Sequence, residues 1–274
     1  MPEHLTDLME ELALANRILA HEGVLDAFGH VSVRHPTDPA RYLLSSRARA
    51  PLLIEPDDVV EYNLDSEPLK RSTARPYSER VIHGCIYQTR SDVIAVCHNH
   101  APALMPFCVS GRPLVPVSHV GATMGEQAPF WDQADEFGDT NLLVVKPEEG
   151  QSLARALGRH FVVLMRRHGS TVVGTSLKEL VARSIFLCEN ARYQMQAYVL
   201  GTPMPLRPGE VKPSGDGNLS AGVIARNWEY WVHRLHLSGN WPLPAKPAGV
   251  ALAKAARRTQ SRPARAASKK KKRR

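Results

Sequence analysis

The sequence predicts a single α/β domain, a mainly antiparallel sheet with helices packed on it, reaching to about residue 240. Three observations predict it. Helix-period and strand-period segments alternate along the chain. The strand-like segments are short and numerous. Many connections between them are too short to hold the crossover helix that a parallel pair needs. The 274 residues suffice for one large domain or two small ones, and no internal repeat divides them.

Leu5, Leu8, Met9, Leu12, Ala15, Ile18 and Leu19 recur at helical spacing, with Thr6 as an N-cap and Gly23 as the stop, so the first helix covers about 5–22. Gly29 allows a turn before a strand over His30–Arg34, and Tyr42–Ser45 reads as its partner. Val59–Leu64 is a third strand. Pro76-Tyr77-Ser78-Glu79 opens a second helix that buries Ile82, Cys85 and Ile86 and runs to about Thr89. After the strand ending at His98 and His100, a helix over Pro102–Cys108 stops near Gly111. Leu114–Val117 and Asn141–Val145 read as strands, and Gln151–Gly158 as a helix. Phe161–Met165 and Thr171–Val173 are strands flanking Arg166-Arg167-His168-Gly169. Ser176-Leu177-Lys178-Glu179 is a capping box that starts a long helix to about Leu200. Pro203–Gly217 is polar and rich in Gly and Pro, and Asn227–Val232 is a last helix with a heavy aromatic load.

Composition narrows the functional classes. No apolar run approaches the roughly 18 residues of a membrane span. Met1-Pro2-Glu3-His4 shows no basic region followed by an apolar core, so no secretory signal is expected. Cys85, Cys97, Cys108 and Cys188 form no close pair and read as buried thiols of a reducing cytoplasm. The net charge of +8 belongs to one end: residues 246–274 hold twelve of the 35 Lys and Arg and no acid, which leaves 23 basic against 27 acidic residues elsewhere. That tail has little with which to build a core and is expected to be disordered. It could touch nucleic acid weakly through charge, but a solubilising extension is the simpler reading, since no aromatic residue is interleaved to stack bases.

The chemistry concentrates at strand ends. Val93-Ile94-Ala95-Val96-Cys97 runs straight into His98-Asn99-His100. Side chains alternate along a strand, so His98 and His100 share a face and suit one divalent ion. A bare His-x-His fits two unrelated histidines equally well. His168 repeats the pattern at the end of another β-rich segment, where Gly169 permits a sharp turn. Three histidines and a helix-borne carboxylate, Glu79, are what an open catalytic metal site requires. A helix-capping role is the alternative for Glu79. His83 lies four residues on, on the same face; such a pair can bind metal, though a His bonded within its helix is the commoner outcome.

These motifs, Ser78-Glu79, His83, Val96-Cys97-His98-Asn99-His100-Ala101 and His168-Gly169 with Gly174 beyond, resemble the class II aldolase/adducin family over about residues 5–200. The resemblance implies an α/β/α three-layer sandwich around a mainly antiparallel sheet. It implies His98, His100 and His168 as ligands of one divalent metal ion per chain, zinc or manganese and alternatively iron or cobalt, with Glu79 as acid/base. It also implies a homotetramer with sites at subunit interfaces. On this basis residues 1–245 form the catalytic domain and 246–274 the basic tail.

The departures are informative. Sugar-phosphate members hold phosphate with a Gly-Asn turn, a Ser-Gly turn and a Ser-Ser pair; here those places read Gly29-His30, Ser46-Arg47 and Tyr77-Ser78. Bulk replaces the small groups that let backbone N–H groups approach a phosphate. His30, Ser46, Arg47, Tyr77 and Ser78 therefore become candidate binding residues for a carboxylate-bearing small molecule. The stretch Val24–Arg34 resembles a decarboxylating branch of the family, whose members act on hydroxylated aromatic or pyridine dicarboxylates or carboxymuconic semialdehydes. Trp228-Glu229-Tyr230-Trp231 fits that branch and could wall a flat substrate. The expected activity is decarboxylation through a metal-stabilised enolate. The alternatives are retro-aldol cleavage, which uses the same enolate, and an adducin-like binding protein without catalysis.

Overall fold

A computed structural model of the chain describes residues 5–69 and 76–240. The basic tail expected at 246–274 lies outside the described residues. The order is α1 (Leu5–His21), β1 (His30–Arg34), β2 (Arg41–Ser45), β3 (Val59–Asn63), α2 (Val81–Thr89), β4 (Ala95–Asn99), α3 (Met105–Ser110), β5 (Phe130–Trp131), α4 (Ala134–Phe137), α5 (Pro147–Leu157), β6 (Val162–Met165), β7 (Gly169–Gly174), α6 (Leu177–Leu200), α7 (Pro208–Asn218) and α8 (Ala221–Leu237).

The strands form one seven-stranded sheet in the order β3-β2-β1-β4-β7-β6-β5. Only the two-residue β5 runs parallel to its neighbour; the other pairs are antiparallel, as the short connections required. Both faces are covered, which is why the central strands read as continuous apolar runs. Val31, Val33, Leu43, Cys97, Leu164 and Val172 face a core built with α1, α6 and α8. The alternate residues Tyr42, Leu44, Val96, Val163 and Val173 face a second core built with α2 and α5. This is the expected three-layer sandwich. Ile82 of α2 and Leu180 of α6 are fully buried, one in each core, and truncating either to Ala costs about 2–5 kcal/mol.

Three segments depart from expectation. Leu114–Val117 is not a strand: the carboxamides of Asn190 and Gln194 on α6 bond the backbone of residues 113–117, so a helix's side chains do the work of a neighbouring strand. Asn141–Val145 is irregular as well. Its amides at Val144 and Val145 donate to the carboxylates of Glu79 and Glu149, and Leu142 is in the left-handed region at φ 67°. Pro203–Gly217, by contrast, contains most of a helix. Gly215 of α7 sits so close to the 3₁₀ turn Val120–Met124 that a Cβ would fall 2.9 Å from the Ala122 carbonyl oxygen. Tight backbone packing thus sustains a helix that its composition argues against.

Candidate metal centre

Antiparallel pairing of β4 with β7 places Asn99 opposite Ser170, so the end of one strand meets the start of the other. His98, the last residue of β4 on the α2/α5 face, is thereby brought beside His100 and His168, which lie just outside the two strands. The β6–β7 turn works differently from expectation. Arg167, not Gly169, adopts the left-handed conformation, at φ 56°. Gly169 is required for a second reason: a Cβ there would lie 2.4 Å from the Asn99 carbonyl oxygen and 2.8 Å from the His100 ring. Asn99 pins the same junction from the other face, accepting from the Ala101 amide and the Ser170 hydroxyl.

Glu79 is supplied by the 3₁₀ turn Ser78–Arg80, where it takes φ −92°, ψ 18° before the α-helix begins. Its carboxylate does not cap α2. It accepts the Val144 amide at 2.9 Å and turns towards the histidines. Oε2 lies 3.6 Å from His98 Nε2, and Oε1 lies 3.5 Å from His168 Nε2. One ligand atom from each of Glu79, His98, His100 and His168 falls within 4.8 Å of the others. Glu79 and His98 are buried, while His100 and His168 are partly exposed and leave the group open on one side.

The donor set fits a divalent ion. The His98 ring keeps its buried Nε2, the nitrogen that faces Glu79, without a hydrogen bond among the described residues. The outer atoms are already oriented. Asp26 accepts the Phe28 and Gly29 amides and turns its carboxylate to His100 Nδ1 at 3.2 Å. Thr171 Oγ1 lies 3.4 Å from His98 Nδ1. Both contacts leave Nε2 of their ring to face the cluster, the arrangement that orients metal-bound histidines. Burial, despite the opposing pull of Glu79, holds His98 well below the usual imidazole range, in the neutral form that ligates metal. Burial opposes ionisation of Glu79, but the His168 hydrogen bond, the two imidazoles and the Val144 amide outweigh it and keep the carboxyl well below its ordinary range.

The candidate substrate residues separate into two groups. His30 pairs with His98 across β1 and β4, and its ring centroid lies 4.3 Å from that of Tyr77 and 5.3 Å from that of His98. Tyr77 and Ser46 are buried, and Arg47 and Ser78 are exposed. Arg47 and Asp26 both act on the Tyr77 hydroxyl, whose pKa burial pushes up to about 12. His83 is neither a metal ligand nor bonded within its helix; it lies fully buried between His30 and Ser32. Trp231 packs on Phe186 in the core of the opposite sheet face, because its side of α8 is the apolar one against α1 and α6. Thr171 and the Val144 amide carry no signal of their own in the sequence. Only Asp26, three residues before Gly29, carries the local mark of a side chain bonding its own turn.

Residues 10–195 match the Class II Aldolase and Adducin N-terminal domain. The chain is 31% identical over 243 residues to decarboxylase tropJ of Talaromyces stipitatus, covering 81% of this chain and 91% of that protein. It is 27% identical over 253 residues to the 3,4-dihydroxyphthalate decarboxylase of Arthrobacter keyseri, covering 85% and 94%. Sugar-phosphate aldolases stand among its relatives too. The solved structure of L-fuculose 1-phosphate aldolase from Glaciozyma antarctica shares the fold at a TM-score of 0.71 and 22% identity, covering 85% of this chain and 90% of that one. The chain is a member of the class II aldolase and adducin family, and its decarboxylase and aldolase relatives are lyases.

Proposed function

We propose that the protein is a divalent-metal-dependent carbon–carbon lyase that decarboxylates a hydroxylated aromatic, heteroaromatic or semialdehyde carboxylate. One observation carries the reading: Glu79, His98, His100 and His168 converge, while the positions expected to cradle phosphate hold bulk. The His30 and Tyr77 rings fill space beside the cluster, and exposed Arg47 offers a planar cation suited to a carboxylate.

His98, His100 and His168 would hold the ion, which supplies Lewis acidity to a hydroxyl or keto oxygen of the substrate. Glu79, held ionised, takes the substrate's hydroxyl proton as the substrate binds. Glu79 delivers that proton to the carboxylate-bearing carbon, which becomes tetrahedral and turns its carboxylate bond towards the neighbouring π system. The bond then breaks, CO₂ departs, and its electron pair restores the phenolate or, for a semialdehyde, the enolate, so atoms and charge balance. Val144 keeps the carboxylate aimed throughout.

The test assays CO₂ against aldehyde release over a panel of hydroxy-carboxylates and sugar phosphates. CO₂ from a hydroxylated carboxylate is expected. Aldehyde release from a sugar phosphate, with no CO₂ from any panel member, would assign the chain to the aldolases instead. The cytoplasmic homotetramer belongs to the same reading, and light scattering of the purified protein tests its assembly.

A further inference from the structure

The ladder between β1 and β4 ends with His30 opposite His98, yet the chain keeps its place for two residues more. A Cβ at Gly29 would fall 3.1 Å from the His98 carbonyl oxygen and 3.6 Å from Asn99 Cα, so Gly29 continues the register opposite Asn99. One step further, Phe28 falls opposite His100. Paired residues of antiparallel strands share a face, and so do alternate residues of one strand. The register therefore puts position 28 on the face that carries His30, His98 and His100. Asp26 fixes the chain there. Its Oδ1 accepts the Phe28 amide at 2.9 Å and the Gly29 amide at 2.8 Å, and lies 3.2 Å from His100 Nδ1. One carboxylate oxygen thus holds the Phe28 backbone beside the His100 ring.

Phe28 is 68% exposed, more than any other aromatic side chain among the described residues. A single exposed apolar side chain is ordinary; its place is what separates this one. The turn uses the Phe28 amide and asks nothing of the ring, which belongs to neither core. Asp26 and His100 beside it, and His168 across the cluster, are partly exposed, so the ring stands at the open side of the candidate metal centre. A molecule that chelates an ion there through a hydroxyl and a carboxylate turns its hydrocarbon body away from the ion, towards that side. An apolar surface beside His100 is what such a body needs to leave water.

We infer that Phe28 is a specificity-determining residue whose ring packs against a flat aromatic or heteroaromatic ring of the substrate at the mouth of the candidate metal centre. The inference rests on the lyase reading for the existence of that substrate, and it narrows its chemistry to the ring-bearing carboxylates over the aliphatic semialdehydes. Two rings in offset-stacked or edge-to-face contact gain more than their shared apolar area, whereas an aliphatic chain gains the area alone. Phe has only two side-chain torsions, and Asp26 already clamps its backbone, so little freedom is lost when a ligand settles on it. A second copy of the chain is the other occupant an exposed ring could have, and the assembly state separates the two.

Calorimetric titration of the zinc-loaded, full-length protein tests this with two probes. Salicylate and cis-2-hydroxycyclohexanecarboxylate carry the same hydroxyl and carboxylate, one on a flat ring and one on a puckered ring. Phe28→Leu keeps apolar area but has no π face, so it should weaken salicylate by about twofold to tenfold and leave the saturated probe unchanged. Phe28→Ala removes the area as well; it should weaken both probes, salicylate by about tenfold to a hundredfold and the saturated probe by less. Equal losses for the two probes in Phe28→Leu, an unchanged salicylate affinity in Phe28→Ala, or no salicylate binding by the wild type overturns the inference. Light scattering adds the other occupant: an assembly lost in Phe28→Ala with salicylate affinity intact assigns the ring to a contact between copies and overturns it too. CO₂ released from semialdehydes alone would sink the ring contact while the lyase reading stands. No turnover across the substrate panel, with the two probes responding as expected, would sink the lyase reading and leave ring recognition as measured.

Discussion

Two histidine clusters share one face of the sheet, 5.3 Å apart between the His30 and His98 ring centroids, and they are built on opposite rules. In the Glu79–His98–His100–His168 group, the buried His98 Nε2 that faces Glu79 has no hydrogen bond among the described residues, and His100 and His168 are partly exposed. In the His30–His83–Ser32–Tyr87 group every inward-facing atom is bonded and both ring nitrogens of His83 are engaged. Buried polar groups in folded proteins are satisfied as a rule. A saturated cluster therefore needs nothing more, whereas an unsaturated cluster of ligating atoms implies a missing partner. The histidine count alone does not distinguish a metal centre from a scaffold; the unpaired lone pairs do.

The strongest way to break this contrast is to remove the unsaturated cluster. His98→Ala combined with His100→Ala is expected to abolish stoichiometric metal binding, read as metal per chain after dialysis, and with it turnover by at least about a thousandfold. Full metal occupancy in that variant would refute the assignment. Glu79→Gln retains all three imidazoles and is expected to keep the metal while lowering kcat by about 10²–10⁴. A wild-type rate would exclude Glu79 as the proton carrier. Asp26→Asn tests the outer contact at His100. Loss of its charge should weaken metal affinity by about 10–100-fold with the fold intact, measured by competition with a chelating dye. An unchanged affinity would mean that Asp26 serves only its own turn.

The candidate metal centre was legible in the sequence because its parts carry local signatures. Apolar β-branched runs mark β4 and the β6–β7 region, and the histidines fall where those runs stop. The saturated cluster was not legible. His30, Ser32, His83 and Tyr87 stand more than fifty residues apart across its bonds, and only the pairing of β1 with β4 under α2 brings them together. His83 was a candidate ligand by spacing from Glu79, and tertiary context sent it the other way. The same limit explains Leu114–Val117 and Asn141–Val145. Both have the composition of strands, but their backbone partners are side chains of α6, Glu79 and Glu149, which no local pattern announces. The long helix α6 was read closely because its start is local: the Ser176 hydroxyl accepts the Glu179 amide, half of the expected capping box, while the Glu179 carboxylate turns to Thr175 and Arg183.

The smallest effect expected concerns the saturated cluster alone and leaves the metal out. Burial lowers His83 to about 3, against 6.5 for an exposed imidazole. Between those values the unfolded chain binds a proton that the folded one refuses. Unfolding free energy should therefore rise with pH across that window and fall as the solution is acidified below about 6.5. One such proton gives a slope of at most about 1.4 kcal/mol per pH unit. His83→Gln keeps a donor and an acceptor between His30 and Ser32 but cannot take up the proton, so its slope should be shallower by that amount. Denaturant midpoints at pH 7, 6 and 5 in chelator-containing buffer make the comparison without any contribution from metal release. Parallel slopes for the two proteins would mean that the buried pair admits a proton in the folded state. The closed cluster would then be a titrating one, and the distinction drawn from its saturation would fail.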